Sequence, residues 1–204
     1  MRVLPSGTSA LLFEVDEPDD VLDLYDALAL STPVGVVDLV PAARTVLVVI
    51  DPALTSLADT RRAVAELTPV AGRRTPGPLV TIPVVYDGAD LAAAAALVGA
   101  DAAELVRRHT AAVWTVAFCG FAPGFGYLTC TDRTLHLPRL PTPRTRVPAG
   151  SVALGGGYSA VYPRESPGGW QLIGRTQAVL FDVRRDPPAL LRPGARVRFV
   201  PERG

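Results

Sequence analysis

Hydrophobic and polar positions along the first third of the chain follow two periods, one typical of strands and one typical of helices. Apolar runs at Ser9–Val15, Val34–Val40 and Thr45–Ile50 predict strands. The apolar positions of Pro18–Leu30 and Leu54–Leu67 recur with helical spacing. The order strand, helix, strand, strand, helix is that of a split β-α-β unit, so this part is predicted to be a ferredoxin-like α/β domain.

The rest of the chain begins with mixed elements and ends in short strands. A strand is predicted at Leu79–Tyr86, and the pattern leaves open whether it extends the first sheet or crosses between domains. Helices follow at Asp90–Val98 and Asp101–His109, then a strand at Ala111–Phe118. Further short strands are predicted at Val152–Leu154, Ala160–Tyr162, Gln171–Ile173, Ala178–Phe181 and Arg196–Val200, with one helical turn at Asp186–Leu191. Many short strands separated by Gly/Pro turns indicate a small barrel or sandwich.

The segment Thr68–Pro78 is the best candidate for a domain boundary. It is short, polar and rich in proline and glycine. We therefore predict a first domain at residues 1–78 and a second at residues 79–204. Neither a membrane-spanning run of about 18 apolar residues nor a leader peptide is recognisable, so we expect a cytoplasmic location.

Residue types that are missing exclude several kinds of chemistry. The chain has neither lysine nor asparagine, which excludes a Schiff base, a Walker A lysine and a Cys-His-Asn triad within it. Two histidines are too few for a three-histidine metal site, and no metal is expected. The two cysteines, Cys119 and Cys130, are expected to be reduced thiols. The position of Cys119 beside a glycine loop leaves a reactive role open.

One stretch, Phe118–Thr176, concentrates glycine, proline, aromatic residues and arginine. Such residues fix the shape of loops, and rigid loops that carry Tyr, Trp, Ser and Arg are typical of small-molecule sites. Residues 1–78 contain 11 acidic residues and 6 arginines, whereas residues 79–204 contain 9 acidic residues and 14 arginines. Six of these arginines lie between Arg133 and Arg175, and this local positive charge suits a carboxylate or phosphate ligand better than nucleic acid.

Three blocks in this stretch resemble a known family. Gly120–Leu128, with the sequence GFAPGFGYL, is similar to the GFxPGFxYL signature of the family formed by the B subunits of 5-oxoprolinase, also called allophanate hydrolase subunit 1. Pro143–Val152 and Tyr162–Thr176 resemble the other two blocks of the family, and Glu104–Thr110 resembles the helix before the first block. The family includes the KipI-like inhibitors of a sporulation kinase. The resemblance extends over about residues 9 to 199.

The resemblance implies an α+β protein with an N-terminal ferredoxin-like α/β domain and a C-terminal cyclophilin-like β-barrel. It implies a component, inactive alone, of an ATP-dependent 5-oxoprolinase that opens 5-oxo-L-proline to L-glutamate together with the C and A subunits, with ATP as co-substrate. An alternative is a KipI-like regulatory protein that inhibits a sensor histidine kinase. Allophanate hydrolysis in urea degradation is the least supported function, because a Ser-Ser-Lys triad needs a lysine.

The same blocks supply the candidate site residues. Arg144 and Arg175 are expected to bind anionic oxygens, for which guanidinium forks are suited, and Arg144 is also a catalytic candidate. His109 is either a general base or a structural histidine at the end of its helix. The expected substrate-binding residues are Gly124, Phe125, Tyr127, Arg144, Ser151, Tyr162, Trp170 and Arg175. Thr129–Cys130 and Tyr158–Ala160 depart from the family pattern, which leaves the ligand itself open.

Overall fold

The computed structural model describes residues 1–67 and 77–203. The chain divides into two compact units, residues 1–76 and 77–204. The predicted boundary at Thr68–Pro78 lies almost entirely outside the described residues, so the limits 1–78 and 79–204 remain a prediction. No helix in the described ranges is long and apolar enough to cross a membrane.

The helices are α1 (Asp20–Leu30), α2 (Leu57–Glu66), α3 (Leu91–Leu97) and α4 (Ala102–Ala111). The strands are β1 (Arg2–Pro5), β2 (Ala10–Glu14), β3 (Val36–Pro41), β4 (Thr45–Ile50), β5 (Leu79–Val84), β6 (Trp114–Cys119), β7 (Gly126–Thr129), β8 (Arg144–Val147), β9 (Ser151–Gly155), β10 (Tyr158–Val161), β11 (Ser166–Gly168), β12 (Gln171–Arg175) and β13 (Arg196–Pro201).

The first unit is an antiparallel sheet with two helices packed on it. The strand order is β1-β2-β4-β3, and every neighbouring pair is antiparallel. One hydrophobic cluster joins the strands to both helices, and its members include Phe13, Leu28, Val48 and Val64. Alternate residues of β4 are buried, as expected for a strand that has one face on the core.

The edge of this sheet is formed by a strand that the sequence pattern did not predict. In a ferredoxin-like order, the strand that follows the second helix pairs beside the first strand. Here β1 occupies that edge and pairs with β2, while β5 belongs to the sheet of the second unit, where it runs parallel to β13. The structure thereby resolves the placement of Leu79–Tyr86 that the sequence left open.

The second unit is a nearly closed, barrel-like sheet. Its order is β12-β9-β10-β7-β6-β13-β5. Just beyond β5, Val85 and Arg175 exchange two backbone hydrogen bonds of 2.9 Å, which connect the two edges of the sheet. The core holds Trp114, Leu128 and Phe199, and α4 contributes Leu105 to it. The predicted α+β class, an α/β domain followed by a β-barrel, is confirmed.

Two local predictions in the second unit are wrong. Ala178–Phe181 is not a strand of the barrel and contributes only an isolated bridge between Phe181 and Ala189. Asp186–Leu191 is not helical, and its consecutive prolines supply no backbone N–H donors. The strands β8 and β11 lie in segments that were not predicted as strands. They pair with each other as a two-stranded ribbon outside the barrel sheet.

Candidate functional site

The loop between β6 and β7, residues 120–125, is held tightly by its own backbone. Gly120 N–H donates to the Phe125 carbonyl at 3.2 Å, and Phe125 N–H donates to the Ala122 carbonyl at 2.9 Å. Phe121 has φ of 66°, a left-handed conformation that is rare for a bulky residue, and its side chain is 56% exposed. Gly124 also has positive φ, and a Cβ there would lie 2.9 Å from Cβ of Phe181. An exposed, strained aromatic residue in a rigid loop is typical of a binding site.

The loop leads into a layer of seven rings that we call the aromatic cluster. It consists of Phe118, Phe121, Phe125, Tyr127, Tyr158, Tyr162 and Trp170. The small or aliphatic residues Ala153, Ala160 and Leu172 pack with this cluster, whereas their strand neighbours, such as Val152 and Val161, belong to the barrel core. Since side chains alternate between the faces of a strand, the aromatic cluster lies on the outer face of the barrel sheet.

The rings pack edge to face and in stacks. Phe118 and Tyr127 stack with centroids 4.2 Å apart, and Phe125 meets Trp170 edge to face at 5.7 Å. The backbone below the indole is Gly155, where a Cβ would lie 2.7 Å from Cγ of Trp170. The aromatic cluster is therefore a packed layer with fixed ring positions, in which Phe125, Tyr162 and Trp170 are buried and Phe121 and Tyr127 offer apolar surface to a small ligand.

Arg144, on β8, borders the aromatic cluster and is paired internally. Its Nη2 donates to Oδ1 of Asp90 at 2.6 Å, while Oδ2 of Asp90 accepts from the backbone N–H of Leu172 at 2.7 Å. The side chains of Arg144 and Asp90 are 30% and 11% exposed. Nη1 of Arg144 is buried and has no partner within the described part of the chain. Arg144 thus has one buried donor available beside a neutralised charge.

Arg175 and Ser151 lie opposite each other in the pairing of β12 with β9. Nε of Arg175 donates to Oδ2 of Asp87 at 2.8 Å, and both side chains are about half exposed. Ser151 is buried. The structure therefore brings Gly124, Phe125, Tyr127, Tyr162 and Trp170 together, with Arg144 at their border, and places Ser151 and Arg175 at the shared end of two strands.

His109 lies in the barrel core and is fully buried. Its Nδ1 is 2.8 Å from Oη of Tyr86, and its Nε2 is 3.0 Å from Oγ of Ser159. The ring stacks on Phe199 with centroids 4.4 Å apart. Burial lowers the pKa of His109 to about 3, so the imidazole is neutral at physiological pH. These contacts favour the structural alternative that the sequence left open for this residue.

The two cysteine thiols and the hydroxyl of Tyr162 are also held in their neutral forms. Burial raises the pKa of Cys119 to about 11 and raises that of Cys130 as well, so both thiols are protonated. Burial also raises the pKa of Tyr162, and the positive charge of Arg139 partly offsets this rise. Within residues 1–67 and 77–203, no three His, Cys, Asp or Glu side chains are grouped so that they could hold a metal ion.

Two residues of this region were not found from the sequence. Asp90 was predicted only as part of a helix, yet its carboxylate joins β8 to β12 through Arg144 and Leu172. Arg139 lies outside the recognised sequence blocks, yet its guanidinium carbon is 5.8 Å from the ring centroid of Trp170. The only signal for Arg139 was its place among the six arginines between Arg133 and Arg175.

Comparisons with known proteins agree with these features. The family model described as carboxyltransferase domain, subdomain C and D, matches residues 1–191. A protein described as the B subunit of 5-oxoprolinase from Escherichia coli O157:H7 is 52% identical over 127 residues, which are 61% of this chain and 58% of that protein. The protein of the same description from Haemophilus influenzae is 44% identical over 126 residues, 60% of this chain and 59% of that protein. The aligned part of this chain thus spans little more than half the length of these curated relatives.

A solved structure gives the same result for the fold. The crystal structure of TTHA0988 superimposes with a TM-score of 0.81 and 35% sequence identity. The match covers 96% of this chain and 40% of that chain. Both units of the present chain therefore have counterparts in a longer polypeptide.

Proposed function

Because the chain belongs to the family of the carboxyltransferase domain, subdomain C and D, we propose that it is the B subunit of an ATP-dependent 5-oxoprolinase. The reaction opens the lactam ring of 5-oxo-L-proline to give L-glutamate and is driven by ATP hydrolysis. The observation that carries the proposal is the 52% identity over 127 residues to a protein described as this component of 5-oxoprolinase. Because ATP is the co-substrate, we place the reaction in the cytoplasm.

The proposed enzyme contains further components, the C and A subunits of this family. The relatives are described as a subunit, and the matched region of TTHA0988 makes up 40% of a longer chain. An unstrained lactam resists attack by water, so ATP is expected to activate an oxygen of the substrate by phosphorylation. Such a step needs anionic oxygens to be held in place, and arginine side chains do this well.

We propose that the lactam ring rests on the aromatic cluster. The exposed Phe121 and the partly exposed Tyr127 supply its apolar surface, and Gly124 allows the loop to turn beside them. Phe125, Tyr162 and Trp170, also predicted to bind substrate, are only 2–4% exposed and hold these two rings in position. A five-membered ring offers little area, so binding needs polar contacts in addition to this surface. The tyrosine hydroxyls and the neighbouring arginines supply such contacts.

Arg144 is proposed to act on the lactam carbonyl. Its ion pair with Asp90 carries no net charge, and the buried Nη1 has no other partner in the described part of the chain, so its N–H donors remain for a neutral oxygen. Ser151 and Arg175 are proposed to contact the substrate or the partner subunit from the end of β9 and β12. His109 is proposed as a core residue, since its two ring nitrogens already face Tyr86 and Ser159.

The proposal is tested by purifying the chain alone and with the C and A subunits, and measuring 5-oxoproline-dependent ATP hydrolysis together with glutamate release. We expect activity only in the complete mixture. Activity of the chain alone would contradict its assignment as one component of a complex. If every combination were inactive while the chain inhibited autophosphorylation of a sensor histidine kinase, the KipI-like alternative would replace it.

A further inference from the structure

The arginines around the aromatic cluster differ in whether their charge is already neutralised. Arg144 pairs with Asp90, Arg146 with Glu165 and Arg175 with Asp87, at N–O distances of 2.6, 2.6 and 2.8 Å. Each of these three pairs has no net charge. Arg144 and Arg175 were predicted from the sequence to bind anions, but each already pairs with a carboxylate of the chain.

Arg139 is in a different state. Within residues 1–67 and 77–203, no carboxylate forms a salt bridge with its guanidinium. Its guanidinium carbon lies over the ring of Trp170, 5.8 Å from the ring centroid. A guanidinium that contacts a ring through its face keeps the N–H groups of its edge free for an oxygen ligand. The side chain is exposed, so such a ligand can reach it.

The charge of Arg139 acts on the hydroxyl groups of the aromatic cluster. It partly offsets the effect of burial on the pKa of both Tyr127 and Tyr162. Arg144 acts on the pKa of Tyr162 in the same way. Both arginines therefore act on one tyrosine hydroxyl, and of the two only Arg144 is paired with a carboxylate.

The backbone around Arg139 is fixed by three hydrogen bonds from neighbouring residues. The Leu137 carbonyl accepts from Gly156 N–H at 2.8 Å, and Leu140 N–H donates to the Gly169 carbonyl at 2.7 Å. The Pro138 carbonyl accepts from Nε2 of Gln171 at 3.1 Å. Two of these partners flank Trp170 in sequence. The chain thus fixes the backbone of Arg139 beside the indole before any ligand arrives, which reduces the backbone entropy lost on binding.

We propose that Arg139 is the carboxylate-binding residue of the site and selects small ring-bearing monocarboxylates. The guanidinium edge of Arg139 binds the two carboxylate oxygens, and the ring of the ligand lies against the partly exposed ring of Tyr127, while the buried Trp170 supports the guanidinium. This inference rests on the proposed function, to which it adds the residue that recognises the acid group. 5-Oxoproline fits because it has one carboxylate and one neutral lactam carbonyl, which match one charged and one neutralised arginine.

The test compares Arg139→Met with Arg133→Met in the complex with the C and A subunits. Arg133 is an exposed arginine on a short turn and provides the matched control. We expect Arg139→Met to raise the KM for 5-oxoproline at least tenfold while kcat changes less than threefold. Arg133→Met is expected to change neither. 2-Pyrrolidinone, which lacks the carboxylate, is expected to inhibit the wild-type and Arg139→Met complexes equally.

A second arm measures binding by NMR titration of the full chain, alone and in the complex, with 5-oxoproline, 2-pyrrolidinone or inorganic phosphate. Loss of 5-oxoproline binding in Arg139→Met alone supports the inference, even if the complex proves to have no 5-oxoprolinase activity. If Arg139→Met behaves like Arg133→Met, or if the wild-type protein binds no 5-oxoproline in either form, the inference is wrong. Selective loss of phosphate binding would overturn the assignment to a carboxylate.

Discussion

Burial of His109 makes the stability of the second unit depend on pH. The imidazole is fully buried between Tyr86 and Ser159, and burial lowers its pKa from 6.5 to about 3. The unfolded chain therefore binds a proton between these two values, whereas the folded chain does not. The free energy of unfolding is therefore highest above pH 6.5, and it decreases progressively as the pH falls from 6.5 towards about 3.

The magnitude follows from the two pKa values. With pKa values of 6.5 in the unfolded and about 3 in the folded state, the linkage relation gives the effect of His109. The free energy of unfolding is about 2 kcal/mol lower at pH 5 than at pH 7.5. The matched variant is His109→Gln, whose amide has both a donor and an acceptor for Tyr86 and Ser159 but does not titrate. We expect it to be less stable at pH 7.5, because the ring contacts with Phe199 are lost.

The assay is urea unfolding followed by tryptophan fluorescence at pH 7.5, 6 and 5. Both tryptophans, Trp114 and Trp170, lie in the second unit, so the signal reports on that unit alone. The wild type is expected to lose about 2 kcal/mol more than His109→Gln between pH 7.5 and 5. Equal losses in the two proteins would refute the reasoning. If the variant does not fold, the His109 proton NMR signal of a His136→Gln protein must stay at its neutral position down to pH 5.

Three further changes test the packing of the site, each measured as the free energy of unfolding in urea. Gly155→Ala brings a Cβ to 2.7 Å from Cγ of Trp170, and we expect this overpacking to destabilise the fold by about 1–3 kcal/mol. Asp90→Asn removes the carboxylate that pairs with Arg144. It leaves a largely buried guanidinium unpaired, for which we expect a loss of about 2 kcal/mol after allowance for partial exposure. Phe121→Gly is expected to be about 1 kcal/mol more stable than Phe121→Ala, because glycine adopts positive φ without strain.

Each of these changes has a matched comparison in the chain. Gly120→Ala introduces a Cβ that meets only Cε2 of Tyr127 at 3.8 Å, so its effect should be clearly smaller than that of Gly155→Ala. Asp87→Asn removes the exposed partner of Arg175, and we expect less than about 0.5 kcal/mol there. Equal losses of stability in Gly155→Ala and Gly120→Ala, or in Asp90→Asn and Asp87→Asn, would contradict the packing argument. Equal stability of the two Phe121 variants would show that the loop relaxes.

Local patterns predicted most of the elements but not the pairing of the sheet edges. The strand β4 was predicted with its observed limits, and the Asp101 carboxylate caps α4 through Glu104 N–H at 2.7 Å, as its sequence position indicated. The strand β1 pairs with its sequence neighbour β2, but its four residues are too few to show a strand pattern. The pairing of β5 with β13 joins segments more than 100 residues apart, which no local pattern encodes. The short run Ala178–Phe181 was predicted as a strand, but Val179 and Phe181 are exposed and the run forms only an isolated bridge.

The candidate site was predictable as a region but not in its electrostatics. Rigid loops and aromatic residues between Phe118 and Thr176 were visible in the sequence, and they meet in the aromatic cluster. Which arginine keeps its charge depends on acidic residues far away in the chain. Asp90 is 54 residues from Arg144, and Asp87 is 88 residues from Arg175. No spacing rule reveals such pairs. The sequence blocks therefore did not show which arginines are free to bind a ligand.

Residues of the candidate site differ in how strongly a substitution would affect the stability of the barrel. All residues of β9 are buried, because one face of the strand meets the barrel core and the other meets the aromatic cluster. A change in Trp170 or Phe125 therefore disturbs the packing of the barrel sheet. Arg139 is exposed and its backbone is fixed by its neighbours, so its side chain can be exchanged with little effect on the fold. The residue proposed to recognise the carboxylate is thus one that substitution can alter without first destabilising the barrel.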